Sequence, residues 1–339
     1  MNGAERIGAD ATNSEPDSNA STVLVLTEPI DKSADLVIKE LDKRGARVFR
    51  ADTGDFPLSL EVSAWFDGTW HGEIRGPDGS VDLREVGSVY VRRPTAFTFP
   101  ESMTDAERRF AAREARRGFG GILMSLPCSW VNHPSKAADA EYKPFQFLTA
   151  SAVGLNVPRT VITNVPDDAA KHSARLGSSV VYKTLSGASV PDGERVSLVY
   201  TSPVMASDMA DSRVALTAHQ FQQRIPKVRD VRATVVGKRV FAANILTDDE
   251  TAGNLLDWRA DYNALRYEPV SLPDSVESSL LRMTERLGLS FAAADFVVTA
   301  DDQHYFVDLN PSGQWGWIEE ATGLPIAAAI AAQLTGEDQ

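Results

Sequence analysis

The chain has 339 residues, of which 43% are hydrophobic and 24% are charged, and its formal net charge is −13. This composition is typical of a soluble globular protein, and the acidic charge argues against a wide nucleic-acid interface, because phosphate contacts require a basic surface. The sequence has no apolar run of about 20 residues that could span a membrane and no secretion signal at its start, so we expect a cytoplasmic protein.

Cysteine and histidine are too sparse for a disulfide framework or a zinc site. The stretch LPCSW around the single cysteine, Cys128, contains no histidine that would suggest a nucleophile, which favours a buried structural role. The five histidines are scattered without metal-ligand spacing. Because the net charge of the chain is strongly negative, an anionic ligand must be held locally by a few lysines and arginines.

The first part of the chain is predicted to form an α/β lobe behind a polar tail. Residues 1–20 have few large apolar side chains and are predicted to be a disordered tail. A strand in STVLVLTEPID, an amphipathic helix in SADLVIKELDKRG and a strand in RVFRAD form a β-α-β unit, which predicts a parallel sheet. Antiparallel hairpins in LSLEVSAWFDGTWHGEIRGPDGSVDL, a strand in SVYVRRP and a helix in TDAERRFAAREARRGFGGILMSL complete the lobe.

Two further lobes are predicted after it. The second contains a helix in KPFQFLTASAVGL, a strand in VPRTVITN, a helix in PDDAAKHSARLG and strands in SSVVYKTL, RVSLVYTS and ALTAHQFQQRI, with SGASVPDGE as a lid or a plain surface loop. The third contains the hairpin VRATVVGKRVFAANIL, the helix SVESSLLRMTERLGL, the hairpin AAADFVVTADDQHYFVDLN and the helix PIAAAIAAQL. We expect an α/β protein with domains at residues 21–134, 135–225 and 226–339.

The last hairpin carries oxygen-bearing side chains at its end. A four-residue loop, Ala300–Gln303, would place Asp295 opposite Asp308, and a two-residue loop would place it opposite Asn310. Strict alternation puts Phe306 on the same face as Asp308 and Asn310. Either pairing predicts a cluster of hard oxygen ligands that suits magnesium. Acidic decoration of a solvent-facing strand end is an equally good explanation of the pattern alone.

Cations occur upstream of this hairpin. Lys143 opens the second lobe, and Lys183 lies among apolar residues in VVYKTL, where burial requires an anion. Snorkelling surface lysines are the structural alternative. The stretch QQRIPKVRDVRATVVG adds Lys227, Arg229 and Arg232. Cations and carboxylates in this order predict nucleotide phosphates bridged by metal, beside a second anionic substrate.

Taken in order, these motifs resemble an ATP-grasp ligase, and more specifically the graspetide maturases (microviridin-type, omega-ester-containing peptides) of the actinobacterial kind. The resemblance extends from about Val23 to Leu334 and rests on SVYVRRP, WVNHP, KPFQFLTASAVGLNVPRTVITN, VVYKTL, HQFQQRIPKVRDVRATVVGKRVFAANI, LLDWRADY and LGLSFAAADFVVTADDQHYFVDLNPSGQWGWIEEATG. It implies an ATP-grasp fold, in which an N-terminal pre-ATP-grasp α/β lobe precedes a central and a C-terminal lobe that clamp ATP between two sheets.

The resemblance also implies roles for single residues. ATP phosphates would be bound by Lys143 and Lys183, and adenine by the hinge residues Gln222, Gln223, Arg224 and Ile225. Magnesium, as two ions, would be bound by Asp295, Asp308 and Asn310, although many ATP-grasp enzymes carry glutamate where Asp308 stands, which shortens the reach here. The substrate carboxylate or acyl phosphate would meet Arg232 and Arg259. Candidates for further substrate contact are Arg92, Arg93 and Lys227.

The implied activity is ATP-dependent macrocyclisation of a ribosomally made precursor peptide. An Asp or Glu side chain would be phosphorylated to an acyl phosphate and then attacked by a Thr or Ser hydroxyl or a Lys amine. The implied partner is a precursor peptide with a leader that docks on the enzyme, and the resemblance allows a homodimer. Two alternatives stay open: another ATP-grasp carboxylate–amine ligase (glutathione-synthetase-like, or a protein-tail glutamate ligase), and a non-catalytic ATP-binding protein. No general base is identified, since His219 and His304 are more typical of structural histidines.

Overall fold

The computed structural model describes residues 21–177, 179–187, 189–192, 195–247 and 256–337. The predicted tail at residues 1–20 and three positions of the SGASVPDGE segment, residues 188, 193 and 194, lie outside the described residues. In the part of the chain that the structure describes, no helix is both long and apolar enough to cross a membrane.

The N-terminal lobe contains a parallel sheet ordered β2-β1-β6-β7, as the β-α-β pattern predicts, and an antiparallel sheet ordered β3-β4-β5. Its elements are β1 (Thr22–Leu26), α1 (Lys32–Lys43), β2 (Arg47–Ala51), β3 (Glu61–Phe66), β4 (Trp70–Gly76), β5 (Gly79–Asp82), β6 (Val86–Val91), α2 (Asp105–Met124) and β7 (Ser129–Val131). The side chain of Asp31 caps α1 by accepting hydrogen bonds from two backbone N–H groups, and Thr104 and Glu107 form a capping box at the start of α2.

The central lobe is built on an antiparallel sheet ordered β12-β9-β13-β8, with a separate hairpin of β10 and β11. Its elements are α3 (Pro134–Ala140), α4 (Lys143–Ala152), β8 (Thr160–Thr163), α5 (Pro166–Leu176), β9 (Val180–Lys183), β10 (Ser189–Asp192), β11 (Arg195–Leu198), β12 (Ser202–Val204), α6 (Ala206–Met209) and β13 (His219–Gln223). Part of SGASVPDGE is therefore a strand and not a plain loop, and the candidate strand RVSLVYTS is divided between β11 and β12.

The C-terminal lobe is an antiparallel sheet ordered β16-β15-β14-β17-β18, covered by helices. Its elements are β14 (Lys227–Val236), β15 (Arg239–Thr247), β16 (Leu265–Val270), α7 (Asp274–Leu287), β17 (Phe291–Thr299), β18 (His304–Asn310), α8 (Gly316–Thr322) and α9 (Ile326–Thr335). The β14–β15 hairpin turns at Gly237, whose φ of +58° lies in the left-handed region, as its position in the sequence predicts.

The hydrophobic core has one part that joins two lobes. Valines and alanines of β1, α1 and the neighbouring strands pack in a single cluster with α9, Trp315 and Ile318 of the C-terminal lobe. A second cluster fills the space between the C-terminal sheet and the helices α4 and α7. The N-terminal lobe is thus packed against the lobe that carries the predicted metal ligands.

Candidate active site

A cleft of about 670 Å³, part of it open to solvent, lies between the central sheet and the C-terminal sheet. One wall comes from β9, β13 and the turn after β13, the other from β14, β17 and β18, and residues 256–259 form part of the lining. Among the residues predicted from the sequence, the cleft is lined by Lys183, Gln222, Gln223, Arg224, Ile225, Lys227, Arg259, Asp295 and Asp308. Residues far apart in the sequence are therefore brought to one place.

Two carboxylates face each other across the last hairpin. Asp295 on β17 pairs with Asp308 on β18, as predicted for the loop Ala300–Gln303. The pairs nearer the loop are shifted by one residue, because Val298 pairs with His304. A β-bulge between Phe306 and Asp308 restores the predicted pairing, since Val307 is an extra residue without a partner in the ladder.

The bulge overturns one prediction about the faces of β18. Phe306 and Leu309 both belong to the hydrophobic cluster under the sheet, whereas Val307 and Asp308 line the cleft. The prediction that Phe306 shares a face with Asp308 and Asn310 was therefore wrong. Strict alternation fails here because a bulge lets two consecutive side chains point to the same side.

Cations surround this pair of carboxylates. The Lys143 Nζ atom, at the start of α4, lies 2.5 Å from Asp308 Oδ1, and Arg232 Nη1 lies 3.3 Å from Asp295 Oδ1. Burial opposes ionisation of Asp308, but the charges of Lys143 and Lys183 outweigh it and hold its pKa below the usual range. Burial raises the pKa of Asp295, with Arg232 opposing and Asp308 adding to the rise. The pKa of Asp308 is therefore lowered and that of Asp295 is raised, although both carboxylates lie near the same positive charges.

Arg259 is held at the cleft by a neighbouring carboxylate. Asp257 accepts hydrogen bonds from Arg259 Nε and Nη2 at 2.8 and 2.7 Å, and from the backbone N–H of Thr201 in the central lobe at 3.0 Å. Burial opposes ionisation of Asp257, but the hydrogen bonds and charge of Arg259 lower its pKa to about 2. The guanidinium is thus fixed in a bidentate pair that also joins two lobes.

A tryptophan ring supports the other arginine. The Arg232 guanidinium carbon lies 5.7 Å from the centre of the Trp258 ring, within the range of a cation–π contact. Trp258 is buried and packs against Trp317 of α8 at a centroid distance of 5.4 Å. Two consecutive residues, Asp257 and Trp258, therefore contact the guanidinium groups of Arg259 and Arg232 respectively.

Two family models match the chain and together extend from residue 22 to residue 334. The MvdD pre-ATP grasp domain matches residues 22–138, and the RimK-like ATP-grasp domain matches residues 138–334, more than half of the chain. The solved structure of macrocyclase MdnB from Microcystis aeruginosa MRC is 30% identical, over 93% of this chain and 99% of that chain, with a TM-score of 0.78. The chain is an ATP-grasp ligase of the peptide-macrocyclase family.

Two further solved structures are similar to the ligase over almost its whole length. Macrocyclase MdnC from Microcystis aeruginosa MRC, bound with precursor peptide MdnA, is 29% identical over 93% of this chain and 99% of that chain, with a TM-score of 0.81. The RiPP-associated ATP-grasp ligase of Chryseobacterium gregarium, in complex with ADP and a leader and core peptide, is 26% identical over 94% and 98%, with a TM-score of 0.87. No curated protein sequence matches the ligase significantly. The family resemblance and the ATP-grasp fold are confirmed.

The predicted hinge of the ligase lies between the two sheets. Gln222 is buried and donates from Nε2 to Thr160 Oγ1 at 2.9 Å, and Gln223 accepts from Arg159 Nε at 3.1 Å. The backbone N–H of Arg224 donates to Ser179 at 3.0 Å. These contacts fix the main chain as it crosses from the central lobe to β14.

Other predicted residues lie outside the cleft lining. Arg92 is buried and contacts the loop after β18, and Arg93 next to it is exposed. Asn310 lies two residues beyond Asp308 on the same strand face, and its Oδ1 accepts from the backbone N–H of Ser312 at 2.8 Å. His219, one of the two histidines considered as a general base, packs beside Phe221 on the face of β13 that points away from the cleft.

The carboxylate pair fits a metal cation. Asp295 Oδ1 is buried and, within the described residues, accepts no hydrogen bond, although Arg232 forms an ion pair with it. A buried acceptor of this kind beside a second carboxylate suits a hard cation. No group of three His, Cys, Asp or Glu side chains that could hold a metal ion is found in the described part of the ligase, so the candidate site consists of two carboxylates and the amide of Asn310.

Sequence reasoning missed three residues of the cleft: Asp230, Asp257 and Trp258. Asp230 lies 2.5 Å from Lys227 Nζ, and burial raises its pKa to about 6 against the opposing charge of Lys227. A signal was present, because each aspartate stands two positions before a predicted arginine, in DVR and DWR. An Asp-x-Arg spacing lets a carboxylate cap a turn and bind the arginine fork, as Asp257 does.

Proposed function

We propose that the ligase is an ATP-dependent macrocyclase of a ribosomally made precursor peptide, which joins Asp or Glu side chains to Thr or Ser hydroxyls or to Lys amines. The observation that carries the proposal is the cross-strand pair of Asp295 and Asp308 in a cleft bordered by lysine and arginine side chains. Such a site can hold a triphosphate through metal and ammonium groups while arginines hold a second anion.

The nucleotide is assigned to the central-lobe side of the cleft. Lys183 projects from β9 among apolar walls, and burial lowers its pKa although Asp308 opposes this. An anion beside this ammonium offsets its burial, which supports phosphate binding by Lys183 and by Lys143. The main chain of the hinge, from Gln222 to Ile225, would hold the adenine.

Magnesium is assigned to Asp295, Asp308 and Asn310, with two ions as the proposed number. Bound there, magnesium would neutralise the phosphate oxygens during phosphoryl transfer. Lys143 shares Asp308 with this site through its 2.5 Å contact, so the same carboxylate orients a phosphate-binding lysine. In this proposal, a phosphate-binding lysine and a metal ligand would lie side by side at the γ-phosphate end.

The peptide carboxylate is assigned to Arg232 and Arg259. Both guanidinium groups are held in place, by Trp258 and by Asp257 respectively, so that little side-chain freedom is lost on binding. Lys227 is a further candidate, although Asp230 already pairs with it. Arg93 is exposed and stays a candidate for contact with the peptide.

The chemistry consists of two transfers. A carboxylate oxygen of the peptide attacks the γ-phosphorus of ATP, forming an acyl phosphate and releasing ADP. A hydroxyl or amine of the same peptide then attacks the acyl carbon, the C–O bond to phosphate breaks, and the nucleophile's proton passes to the departing phosphate or to solvent. Each ester or amide bond removes one water from the peptide in total. Structures similar to the ligase contain precursor, leader or core peptides, which supports a peptide as partner.

The test uses purified ligase, ATP, magnesium and the short peptide encoded beside its gene. The expected result is peptide that is lighter by one water for each bond, with one ADP released per bond, and no product from Asp308→Asn. Unchanged peptide mass together with ATP-dependent amide formation on a small amino acid would favour a carboxylate–amine ligase instead. ADP release at background with every acceptor would favour a non-catalytic ATP-binding protein. A homodimer stays a prediction, which size-exclusion chromatography with light scattering tests.

A further inference from the structure

The loop that follows β18 lies against the N-terminal lobe. This 311–315 loop, Pro311 to Trp315, begins directly after Asn310. Trp315 is fully buried in the cluster that contains Val23, Val25 and Tyr90 of the N-terminal lobe. The backbone that leaves Asn310 is therefore anchored to a different lobe from the one that supplies the carboxylates.

Arg92 of the N-terminal lobe holds the middle of this loop. Arg92 Nη1 donates to the backbone oxygen of Ser312 at 2.6 Å, and Nη2 donates to Gln314 Oε1 at 2.5 Å. The arginine is only 4% exposed, and its Nε lies 3.8 Å from Asp31 Oδ2. Asp31 is itself fixed, because it caps α1 and accepts from Thr27 Oγ1. The guanidinium thus connects a helix cap of one lobe to a loop of another.

Asn132 binds the main chain at the start of β17 and just after the end of β18. Its Nδ2 donates to the backbone oxygens of Phe291 and Pro311 at 2.7 and 2.8 Å. Its Oδ1 accepts from the backbone N–H groups of Ser290 and Phe291 at 2.8 and 2.9 Å. One buried amide therefore joins the start of β17 to the residue that follows Asn310.

These contacts reach the Asn310 side chain through a single intermediate. Asn310 Oδ1 accepts from the backbone N–H of Ser312, and the backbone oxygen of the same Ser312 accepts from Arg92. A shift of the Ser312 backbone would therefore alter the hydrogen bond that orients the Asn310 amide. The loop also has little room to adjust, because a Cβ on Gly313 would lie 2.5 Å from the Ala293 Cβ.

We propose that Arg92 is a positioning residue for the metal site, acting through Ser312 on Asn310, with Asn132 as a second support. The proposal rests on the assignment of Asn310 as a magnesium ligand in the proposed function. It differs from the substrate contact expected for Arg92 from the sequence, because both Nη groups already bind the loop. Residues that orient a metal ligand commonly change metal affinity without touching the metal.

The test measures Mn²⁺ binding, as a paramagnetic substitute for magnesium, to the full-length ligase with ADP by electron paramagnetic resonance. Arg92→Lys keeps the positive charge but cannot reach Ser312 and Gln314 together. We expect its Mn²⁺ dissociation constant to rise about 10-fold. ADP affinity measured calorimetrically in EDTA should change less than about twofold, since the nucleotide contacts assigned to lysines and the hinge are intact.

The matched control is Arg44→Lys. Arg44 also joins the two lobes, because its Nη2 donates to the backbone oxygen of Ala328 in α9 at 3.2 Å. It lies at the C-terminal end of α1, whereas Asp31 beside Arg92 lies at the N-terminal end. Its Mn²⁺ affinity should equal that of the wild type. Equal weakening in Arg44→Lys and Arg92→Lys would overturn the proposal and indicate general loosening of the lobes.

A second variant, Gln314→Ala, covers the case in which Arg92→Lys does not fold. It removes one partner of Arg92 without burying a new charge, and Mn²⁺ affinity should fall in the same direction. Unchanged Mn²⁺ affinity in folded variants overturns the proposal even if the wild type cyclises its peptide. Weakened Mn²⁺ binding in a ligase that cyclises no peptide would instead support the positioning role while removing the proposed reaction.

Discussion

At the scale of single residues, the proposed phosphate-binding role of Lys183 has a cost in stability. Its ammonium lies on the cleft face of β9 and donates a hydrogen bond to the backbone oxygen of Val307 at 3.4 Å. Burial lowers the pKa of Lys183, so the charged form is penalised in the folded protein. The residue should therefore contribute more to nucleotide binding than to folding.

Replacing Lys183 by methionine should weaken ADP binding at least about 10-fold, because a hydrogen bond to a charged group is worth about 1.5–3 kcal/mol. The melting temperature should not fall, since the substitution removes a partly buried charge and keeps the length of the side chain. Calorimetric titration with ADP and thermal unfolding measure the two effects. Lys171→Met, at an exposed site on α5, is the control, and unchanged ADP affinity in Lys183→Met would contradict the phosphate role.

The free energy of unfolding should depend on pH through the ionisation of Asp257. Its folded pKa, about 2, lies below the ordinary value of about 3.9, so its contribution to the free energy of unfolding is fully present above that value and is lost as the pH falls towards 2. Asp257→Asn should therefore lower stability by about 2 kcal/mol at pH 7. The difference from the wild type should shrink between about pH 4 and pH 3, as measured by scanning calorimetry.

A matched surface pair serves as the control for Asp257. Asp211 caps a turn and binds Arg213 in the same two-residue spacing, with a pKa of about 2, but the Arg213 side chain is 82% exposed. Solvent screens such a pair, so Asp211→Asn should change stability little at any pH. A loss of stability in Asp257→Asn that does not vary with pH would show that packing, and not charge, is responsible.

At the scale of elements, the last two turns of α2 contain a glycine whose replacement by alanine should stabilise the helix. Gly118 lies in the helix, and a Cβ added there would meet nothing within 4 Å. Gly118→Ala should raise the free energy of unfolding by about 0.5–1 kcal/mol, because glycine gains more freedom than alanine on unfolding. Thermal and urea unfolding of the full-length chain measure this change.

The opposite result is expected for the same substitution in the β14–β15 hairpin. Gly237 has a φ of +58°, and its added Cβ would lie 2.5 Å from Gln333 Oε1. Gly237→Ala should lower the free energy of unfolding by about 1 kcal/mol or more, because an L-residue in this conformation is strained. Changes of equal sign in the two variants would contradict the conformational argument.

The bulge in β18 is the other element that decides the site. It lets Phe306 and Leu309 enter the core while Val307 and Asp308 face the cleft. A regular strand with this sequence would have to turn either a phenylalanine or a carboxylate to the wrong side. Bulges next to functional sites commonly aim a side chain in this way.

At the scale of the whole molecule, the N-terminal lobe is part of the fold of the C-terminal lobe. Trp315, Ile318 and Ile330 are fully buried in the cluster shared with β1 and α1. Burial of each such side chain is worth about 1.5–3 kcal/mol, and a typical domain has only about 5–15 kcal/mol of stability. The central and C-terminal lobes are therefore not expected to be stable without the N-terminal lobe.

A fragment of residues 135–339 tests this dependence. It should lack a cooperative thermal transition and should bind a hydrophobic dye such as ANS, unlike the full-length chain under the same conditions. Near-UV circular dichroism, dye fluorescence and calorimetry distinguish the two states. A cooperative transition close to that of the full chain, without dye binding, would show that the shared cluster is dispensable.

The sequence by itself determined the order of the main elements and many of the residues that line the candidate cleft. Periodicity and turn signals locate the βαβ unit, α4, the β14–β15 hairpin and β17–β18, and the spacing of Asp295 and Asp308 predicts their pairing. These features are local, because they depend on neighbours within one hairpin or helix. Short elements such as β7, β16 and α8 were not predicted, because so few residues carry little periodicity.

Only the tertiary structure decided which side chains meet across lobes. The extra residue at Val307, the buried contact of Arg92 with Ser312, and the hydrogen bond that Thr201 of the central lobe donates to Asp257 cannot be read from sequence spacing. Each depends on packing between segments far apart in the chain, and packing overrides the alternation and exposure that local patterns predict. Local motifs of the ligase thus contain the residue types of the candidate site, while contacts between distant segments determine how these residues are arranged.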